Sequence, residues 1–247
     1  MFGDSEQMRR IGSVAGSPWL WIALGLWFWG LSQLRAEGIV APRPYADVPL
    51  YALMILGLLI NRGQGFRLRL PPRWAPVAFV GLSWGFGMLY EASLTVDGTG
   101  IGGVHPDTRA SYLLAQGDYI LIALATWGLV QHFHLTFRDI FFLAGGKSLT
   151  EGLVFTGVLT SVLVSPQAYA APLMLAYYTL AYATFVALPL LIIDPACLWQ
   201  ATPPRRRLSI PALWLIGAVV AMVIRIIWGL GWAPFATWVF ALPPNPL

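Results

Sequence analysis

The sequence predicts an all-α fold, a polytopic membrane bundle of about seven transmembrane helices. Only 11% of the 247 residues are charged, whereas soluble domains carry about a quarter. The mean hydropathy is +0.68, and the apolar residues gather in runs close to the length that crosses a bilayer. The basic residues lie mostly in alternate loops between these runs. Together these observations predict a protein surrounded by a lipid bilayer.

The apolar runs predict one transmembrane domain that covers residues 1–247. Tryptophans near both ends of the first run suit anchoring at the two membrane interfaces. The pair Arg9-Arg10 precedes this run, but no small-residue cleavage site follows it, so an uncleaved span is predicted rather than a signal peptide. The second run is short, and the sixth ends at Asp194-Pro195. The predicted spans cover approximately residues 18–34, 48–61, 75–90, 111–130, 148–165, 171–193 and 210–232.

Seven spans place alternate loops on the same side of the membrane, so the basic residues can be counted by side. One side carries eleven, namely Arg9, Arg10, Arg62, Arg67, Arg69, Arg73, Arg138, Lys147, Arg205, Arg206 and Arg207. The other side carries three, namely Arg35, Arg43 and Arg109. Because basic loops are retained on the cytoplasmic side, the N-terminus is predicted to lie in the cytoplasm. The C-terminus is predicted outside, and the protein in the cell (inner) membrane.

The start of the fifth span has two interpretations. Gly145-Gly146 is typical of a helix break, and Ser148 and Glu151 have the spacing of a capping box, in which each side chain bonds to the other's backbone N–H. On this interpretation, which we favour, the fifth span covers residues 148–165, and residues 136–144 form a short interfacial or re-entrant helix. On the other interpretation the span begins near Ile140.

Charged residues inside predicted spans are the first functional candidates, because burying a charge in a bilayer is costly. Asp118 and Arg225 each share a helix face with small residues, which favours packing against another helix. Both fall in the outer half of the predicted membrane, so an Asp118–Arg225 pair is geometrically possible. Lys147 and Glu151, four residues apart, are further candidates for binding an ion or substrate. The alternative for Asp118 and Arg225 is a purely structural ion pair. The alternative for Lys147 and Glu151 is a role in helix capping.

Other candidates lie near the predicted membrane surfaces. The outer loop supplies catalytic candidates in Glu91, His105 and Asp107, although turn and capping chemistry accounts for the same residue types. At the cytoplasmic end of the fourth span, His132 or His134 could hold a porphyrin-type cofactor within a complex, although a solvated histidine at the membrane interface is the favoured alternative. Their spacing of two places them on different helix faces, so they do not predict a metal site.

Three classes of function fit these residues. The favoured one is ion or small-molecule handling through Asp118, with Arg225 or Glu151 as its partner. The second is a non-catalytic subunit or scaffold of a larger membrane complex, and the third is a membrane-embedded enzyme that acts on a lipid-like substrate at the outer face. A single cysteine, Cys197, excludes an intrachain disulfide and a CxxC metal pair. The basic residues form no continuous face, so nucleic-acid binding is not predicted.

Overall fold

The computed structural model describes residues 68–96, 107–133, 135–155, 158–164, 171–198 and 208–242. The predicted spans at 18–34 and 48–61 lie outside these residues, as do His105 and His134.

Helices form almost all of the described chain, which confirms the all-α prediction. A 3-10 turn, Pro72–Trp74, leads into the first helix, and two helices continue into π-helical turns, Glu151–Phe155 and Trp228–Trp232. The helices are α1 (Ala75–Val96), α2 (Thr108–Phe133), α3 (Phe137–Thr150), α4 (Val158–Leu163), α5 (Ala171–Ile192), α6 (Pro195–Leu198), α7 (Ile210–Ile227) and α8 (Ala233–Val239). Helices therefore occupy the predicted spans 75–90, 111–130, 171–193 and 210–232.

Two stretches of helix are long and apolar enough to cross a membrane, by length and composition. One is Arg109–Phe133, with 25 residues and a mean hydropathy of 1.5. The other is Ile210–Val239, with 30 residues and a mean hydropathy of 2.4. At about 1.5 Å per residue, each exceeds the 30 Å hydrocarbon core. These two stretches suggest membrane association, and the seven-span arrangement stays a prediction.

The helix that carries Lys147 begins eleven residues earlier than the favoured interpretation placed it. Thr136 caps α3: its backbone N–H donates to Asp139 Oδ2 at 2.9 Å, and its hydroxyl accepts from the Asp139 N–H at 3.4 Å. Ser148 lies inside the helix and donates its hydroxyl to the Ala144 carbonyl at 2.7 Å. The predicted capping box at Ser148 is therefore wrong, because Thr136 and Asp139 form the box that starts this helix.

Gly145 and Gly146 do not break the helix, and a separate helix over 136–144 is not formed. A Cβ atom on Gly146 would collide with the Trp214 carbonyl oxygen, and one on Gly217 with the Leu143 carbonyl oxygen. The glycines thus allow α3 and α7 to cross with their backbones in direct contact, a use of small residues that is typical of membrane helices.

Contacts at one end of the bundle join the segment before α1, the end of α2 and the end of α5. Leu68 forms an isolated parallel bridge with Ile193, with the Leu68 N–H donating to the Ile192 carbonyl at 2.7 Å. The Gln131 side chain donates to the Leu198 carbonyl. All three segments belong to loops that the predicted topology places on the cytoplasmic side.

Contacts at the opposite end of α2 involve the second π-helical turn. The indole N–H groups of Trp228 and Trp232 donate to the Leu114 carbonyl at 2.9 and 3.0 Å. A Cβ atom on Gly117 would collide with the Trp232 ring, so the absence of a side chain there permits this approach. The beginning of α2 and the end of α7 therefore lie together, as expected for helices that run in opposite directions.

A buried charge cluster as the candidate functional site

Lys147 lies in the interior of the helix bundle. It is ten residues beyond Phe137, about 15 Å along the α3 axis, and its side chain is only 7% exposed. Its Nζ lies 3.4 Å from Glu151 Oε2 and 3.4 Å from the centre of the Tyr182 ring. Lys147 is thus not a loop residue, and the basic count on the predicted cytoplasmic side falls from eleven to ten against three.

Glu151 holds the other half of this ion pair at the point where the helical geometry changes. Its side chain is 16% exposed, and it is the first residue of the π-helical turn that follows α3. Removal from water strengthens the attraction between the carboxylate and the Lys147 ammonium, and it also raises the cost of losing either partner. The pair is therefore part of the interior and not a solvated surface contact.

Asp118 approaches this pair from α2. Its half-buried carboxylate interacts electrostatically with Lys147, Glu151 and Arg225. The structure therefore brings together the four charged residues that the sequence singled out as candidates for binding an ion or substrate. No ion pair within 4.0 Å joins Asp118 to Arg225 in the described chain, so the two interact at longer range than a contact pair.

Arg225 is held instead between aromatic rings from the two π-helical turns. Its guanidinium carbon lies 4.6 Å from the Trp228 ring and 5.6 Å from the Phe155 ring. A guanidinium over an aromatic face at these distances is attracted by the ring electrons, most strongly where water is excluded. Phe155 ends the first π-helical turn and Trp228 begins the second. Single π-helical turns are frequent at functional sites.

Glu91 extends the cluster on the α1 side. The residue is 4% exposed, and the Tyr119 hydroxyl donates to Glu91 Oε2 at 3.0 Å. Glu91 also interacts electrostatically with Asp118, the neighbour of Tyr119 in the sequence. The structure thus places this predicted outer-loop candidate inside the bundle. We use "charge cluster" below for Glu91, Asp118, Lys147, Glu151 and Arg225.

A small cavity adjoins the charge cluster at Lys147. Its volume is about 20 Å³, which is room for about one water molecule. Its polar lining comes from Lys147, Tyr182 and Thr126, and the remainder is apolar or glycine. Ile122, about one turn beyond Asp118 on α2, also lines the cavity, and Thr126 lies eight residues, about 12 Å, beyond Asp118 along the helix.

The remaining candidates lie apart from the charge cluster. Asp107 is exposed and accepts the Ala110 N–H at 2.8 Å, which caps the start of α2. His132 is exposed in the last turn of α2 and stacks edge to face on Phe133, with ring centres 4.6 Å apart. In the described ranges, no three His, Cys, Asp or Glu side chains converge as a metal site would require.

Sequence reasoning missed the two tyrosines. Tyr119 binds Glu91, Tyr182 covers the Lys147 ammonium, and both pack against Phe185, with ring centres 5.1 and 6.2 Å away. The adjacent Asp118-Tyr119 pair was the one local signal available, since two neighbouring polar groups in an apolar helix both need partners. Comparison of the chain with protein-family models, curated proteins and solved structures finds no match.

Proposed function

We propose that this chain is a multi-pass protein of the cell membrane that handles an ion, alone or together with a small molecule, at the charge cluster around Asp118. The observation that carries the proposal is the arrangement of Lys147. This buried ammonium contacts Glu151 and also interacts electrostatically with Asp118. One cation shared between two carboxylates can respond to a change in the charge of either.

The surface of the second long helical stretch supports the membrane part of the proposal. Leu230 and Trp238 are both 81% exposed, and Leu215 is 67% exposed. Apolar side chains on this scale are unfavourable in water, and contiguous apolar surface marks contact with lipid or with another protein. A bilayer around α7 and α8 would cover these side chains.

The energetic cost of the charge cluster supports the functional part. Ionisable groups within membrane helices are rare because they are expensive to bury, and they commonly mark ion pathways or proton relays. Removing water from Lys147 and Glu151 is only offset in part by their attraction. The charge cluster therefore contributes little to stability, and a role in binding or moving charge accounts for it better.

Flux through liposomes that contain the purified full-length protein tests this proposal. We expect a gradient of H⁺, Na⁺ or K⁺ to drive flux through the wild-type protein. Asp118→Asn keeps the shape of the side chain and removes the charge, so flux should fall to that of protein-free liposomes. Asp139→Asn makes the same chemical change at the exposed start of α3, where the amide oxygen can still accept from the Thr136 N–H, and should leave flux intact. Wild-type flux equal to that of protein-free liposomes for all three ions would overturn the proposal.

A membrane scaffold is the second candidate function, favoured by the exposed apolar face of α7 and α8. Over 18 consecutive residues of this stretch, only 22% of the residues are buried. A partner chain could cover this face as well as lipid could. Stoichiometric co-purification of other chains with the protein from its native membrane, together with unaltered flux in Asp118→Asn, would favour the scaffold.

A further inference from the structure

We infer that the species handled at the charge cluster is the proton, relayed through the small cavity beside Lys147. This inference rests on the proposed function and specifies its substrate. Three features of the described chain lead to it: the size of the cavity, the position of the lysine, and the set of proton-carrying groups around it.

The cavity is too small for a solute or a hydrated metal ion. At about 20 Å³ it accepts about one water molecule, whereas small-molecule pockets usually measure about 300–1,000 Å³. A larger cavity of about 340 Å³ lies between α2 and the second π-helical turn. Its lining is apolar throughout, with Leu121, Trp232 and Phe235 among its residues, so it offers no group that would bind a charged solute.

Lys147 already occupies the place of a bound cation. Its ammonium lies against Glu151 and over the Tyr182 ring, and it interacts with Asp118. A metal ion would have to displace this tethered charge and gather several oxygen ligands at about 2.0–2.6 Å. A proton needs neither, since it adds to a carboxylate oxygen and changes the charge balance without adding bulk.

Groups that can carry or stabilise a proton surround Asp118. It interacts electrostatically with Glu91 on α1, with Lys147 and Glu151 on α3 and its π-helical turn, and with Arg225 on α7. Its neighbour Tyr119 interacts both with Asp118 and with Tyr182 on α5. With Asp118 ionised, the Lys147 ammonium is drawn toward both Asp118 and Glu151. With Asp118 protonated, the ammonium is released to Glu151 alone. The Lys147 ammonium thus stays with Glu151 throughout, and its attraction to Asp118 is lost and regained as the proton binds and leaves.

The proton balance of this cycle is simple. A hydronium ion on one side of the membrane gives its proton to the Asp118 carboxylate, which forms one O–H bond and leaves a water molecule. Asp118 does not itself line the cavity, so the same O–H bond breaks when the proton passes to an intervening water molecule, which carries it toward the water in the cavity. Release on the other side regenerates hydronium. Thr126 lines the cavity, and its hydroxyl can hold the cavity water by a hydrogen bond.

The test uses full-length protein in liposomes that contain a trapped pH-sensitive dye, in buffer with choline as the only added cation. A pH gradient should change the internal pH faster in wild-type liposomes than in protein-free ones. In a separate assay, radioactive Na⁺ should not enter wild-type liposomes faster than protein-free ones. Na⁺ entry without proton flux would overturn this inference and leave the proposed function standing. Absence of both fluxes, and of K⁺ flux, would overturn both.

Two isosteric substitutions test the cavity itself. Thr126→Val keeps the volume and removes the hydroxyl, so proton flux should fall. Thr179→Val makes the same change on α5, where the hydroxyl bonds to the Leu175 carbonyl at 2.7 Å and does not line the cavity, and flux should be unchanged. Unaltered proton flux in Thr126→Val would overturn the relay. The proton and Na⁺ fluxes of the wild-type protein are measured without any substitution, so they test the inference even if a variant fails to fold.

Discussion

At the scale of single residues, the Lys147–Glu151 pair links stability to the proposed function. Because both side chains are largely removed from water, 7% and 16% exposed, each depends on the other for compensation of its charge. We predict that Lys147→Met lowers the free energy of unfolding by about 3–5 kcal/mol, the usual cost of breaking a buried pair. Unfolding of the purified protein in detergent, by heat or denaturant, measures the change.

The double variant Lys147→Met/Glu151→Gln is the control for this prediction. Removing both charges takes away the electrostatic interaction together with the cost of burying it, so most of the lost stability should return. A single variant as stable as the wild type would mean that water reaches the pair. A double variant no more stable than Lys147→Met would mean that the contact of the ammonium with Tyr182, and not the ion pair, supplies the stability.

The sequence identified the charged members of the cluster but not their partners. Asp118, Lys147, Glu151 and Arg225 stand out because a charge in an apolar run is unusual. The choice of partner depends on tertiary structure: Arg225 stacks on Phe155 and Trp228, although its spacing suggested a pair with Asp118. Glu91 was assigned to an outer loop because its hydrogen-bond partner, Tyr119, is 28 residues away in the sequence, and no pattern near Glu91 indicates this contact.

At the scale of elements, the crossing of α3 and α7 depends on glycine. A methyl group on Gly146 would meet the Trp214 carbonyl oxygen, which belongs to the backbone and cannot rotate away. We predict that Gly146→Ala destabilises the protein by about 1–3 kcal/mol or more, as overpacking does. Thermal unfolding in detergent provides the measurement.

Gly81→Ala is the matched control for the crossing. A Cβ atom at Gly81 has no neighbour within 4 Å, so the added methyl only reduces the backbone freedom of the unfolded chain. Stability should therefore rise by about 0.5–1 kcal/mol. If both substitutions changed stability in the same direction by the same amount, helix propensity would explain the result and the close crossing would not.

The start of α3 gives a second prediction at this scale. If Thr136 caps the helix, Thr136→Ala removes the hydroxyl that accepts the Asp139 N–H, and stability should fall by about 1 kcal/mol. Ser148→Ala removes only a hydroxyl that donates within the helix to Ala144, and its effect should be smaller, about 0.5 kcal/mol or less. A larger loss from Ser148→Ala than from Thr136→Ala would return the helix start to Ser148.

Local patterns could predict that helices occur in this region but not where one begins. The capping-box spacing occurs twice, at Thr136–Asp139 and at Ser148–Glu151, and only the first is used. Gly145-Gly146 is equally compatible with a break and with a close crossing, and the approach of α7 decides between them. The π-helical turns left no recognisable pattern, since their extra residue is accommodated by packing and not by composition.

At the scale of the whole molecule, the contacts at the two ends of α2 agree with the predicted grouping of segments by end of the bundle, and which end is cytoplasmic stays a prediction. Gln131 near its end meets Leu198, and Leu114 near its beginning meets the indoles of Trp228 and Trp232. The basic loops could predict which segments share a side, because charge asymmetry acts on each loop separately. They could not predict that Lys147 is buried, because its burial depends on α3 beginning at Phe137 and not at Ser148.

Cysteine labelling tests that orientation directly. Cys197 is the single cysteine, so Cys197→Ser provides a background in which Arg109→Cys and Arg138→Cys each introduce one thiol. Both arginines are exposed. Arg109 is the first residue of the candidate span Arg109–Phe133, and Arg138 follows its end; the span is about 37 Å long at the usual helical rise. We predict that a membrane-impermeant maleimide labels the cysteine at 109 in intact cells and the one at 138 only after permeabilisation.

Each labelling pattern has a distinct consequence for the charge cluster. The predicted pattern puts the Tyr119 end of α2 toward the outside and the Thr126 cavity further toward the cytoplasm, so a proton that enters from outside meets Asp118 before the cavity. Labelling of both positions in intact cells would show that α2 does not cross the membrane, and the membrane assignment would fail with it. Reversed labelling would keep the span but contradict the positive-inside count, and the direction of entry to Asp118 would be reversed as well.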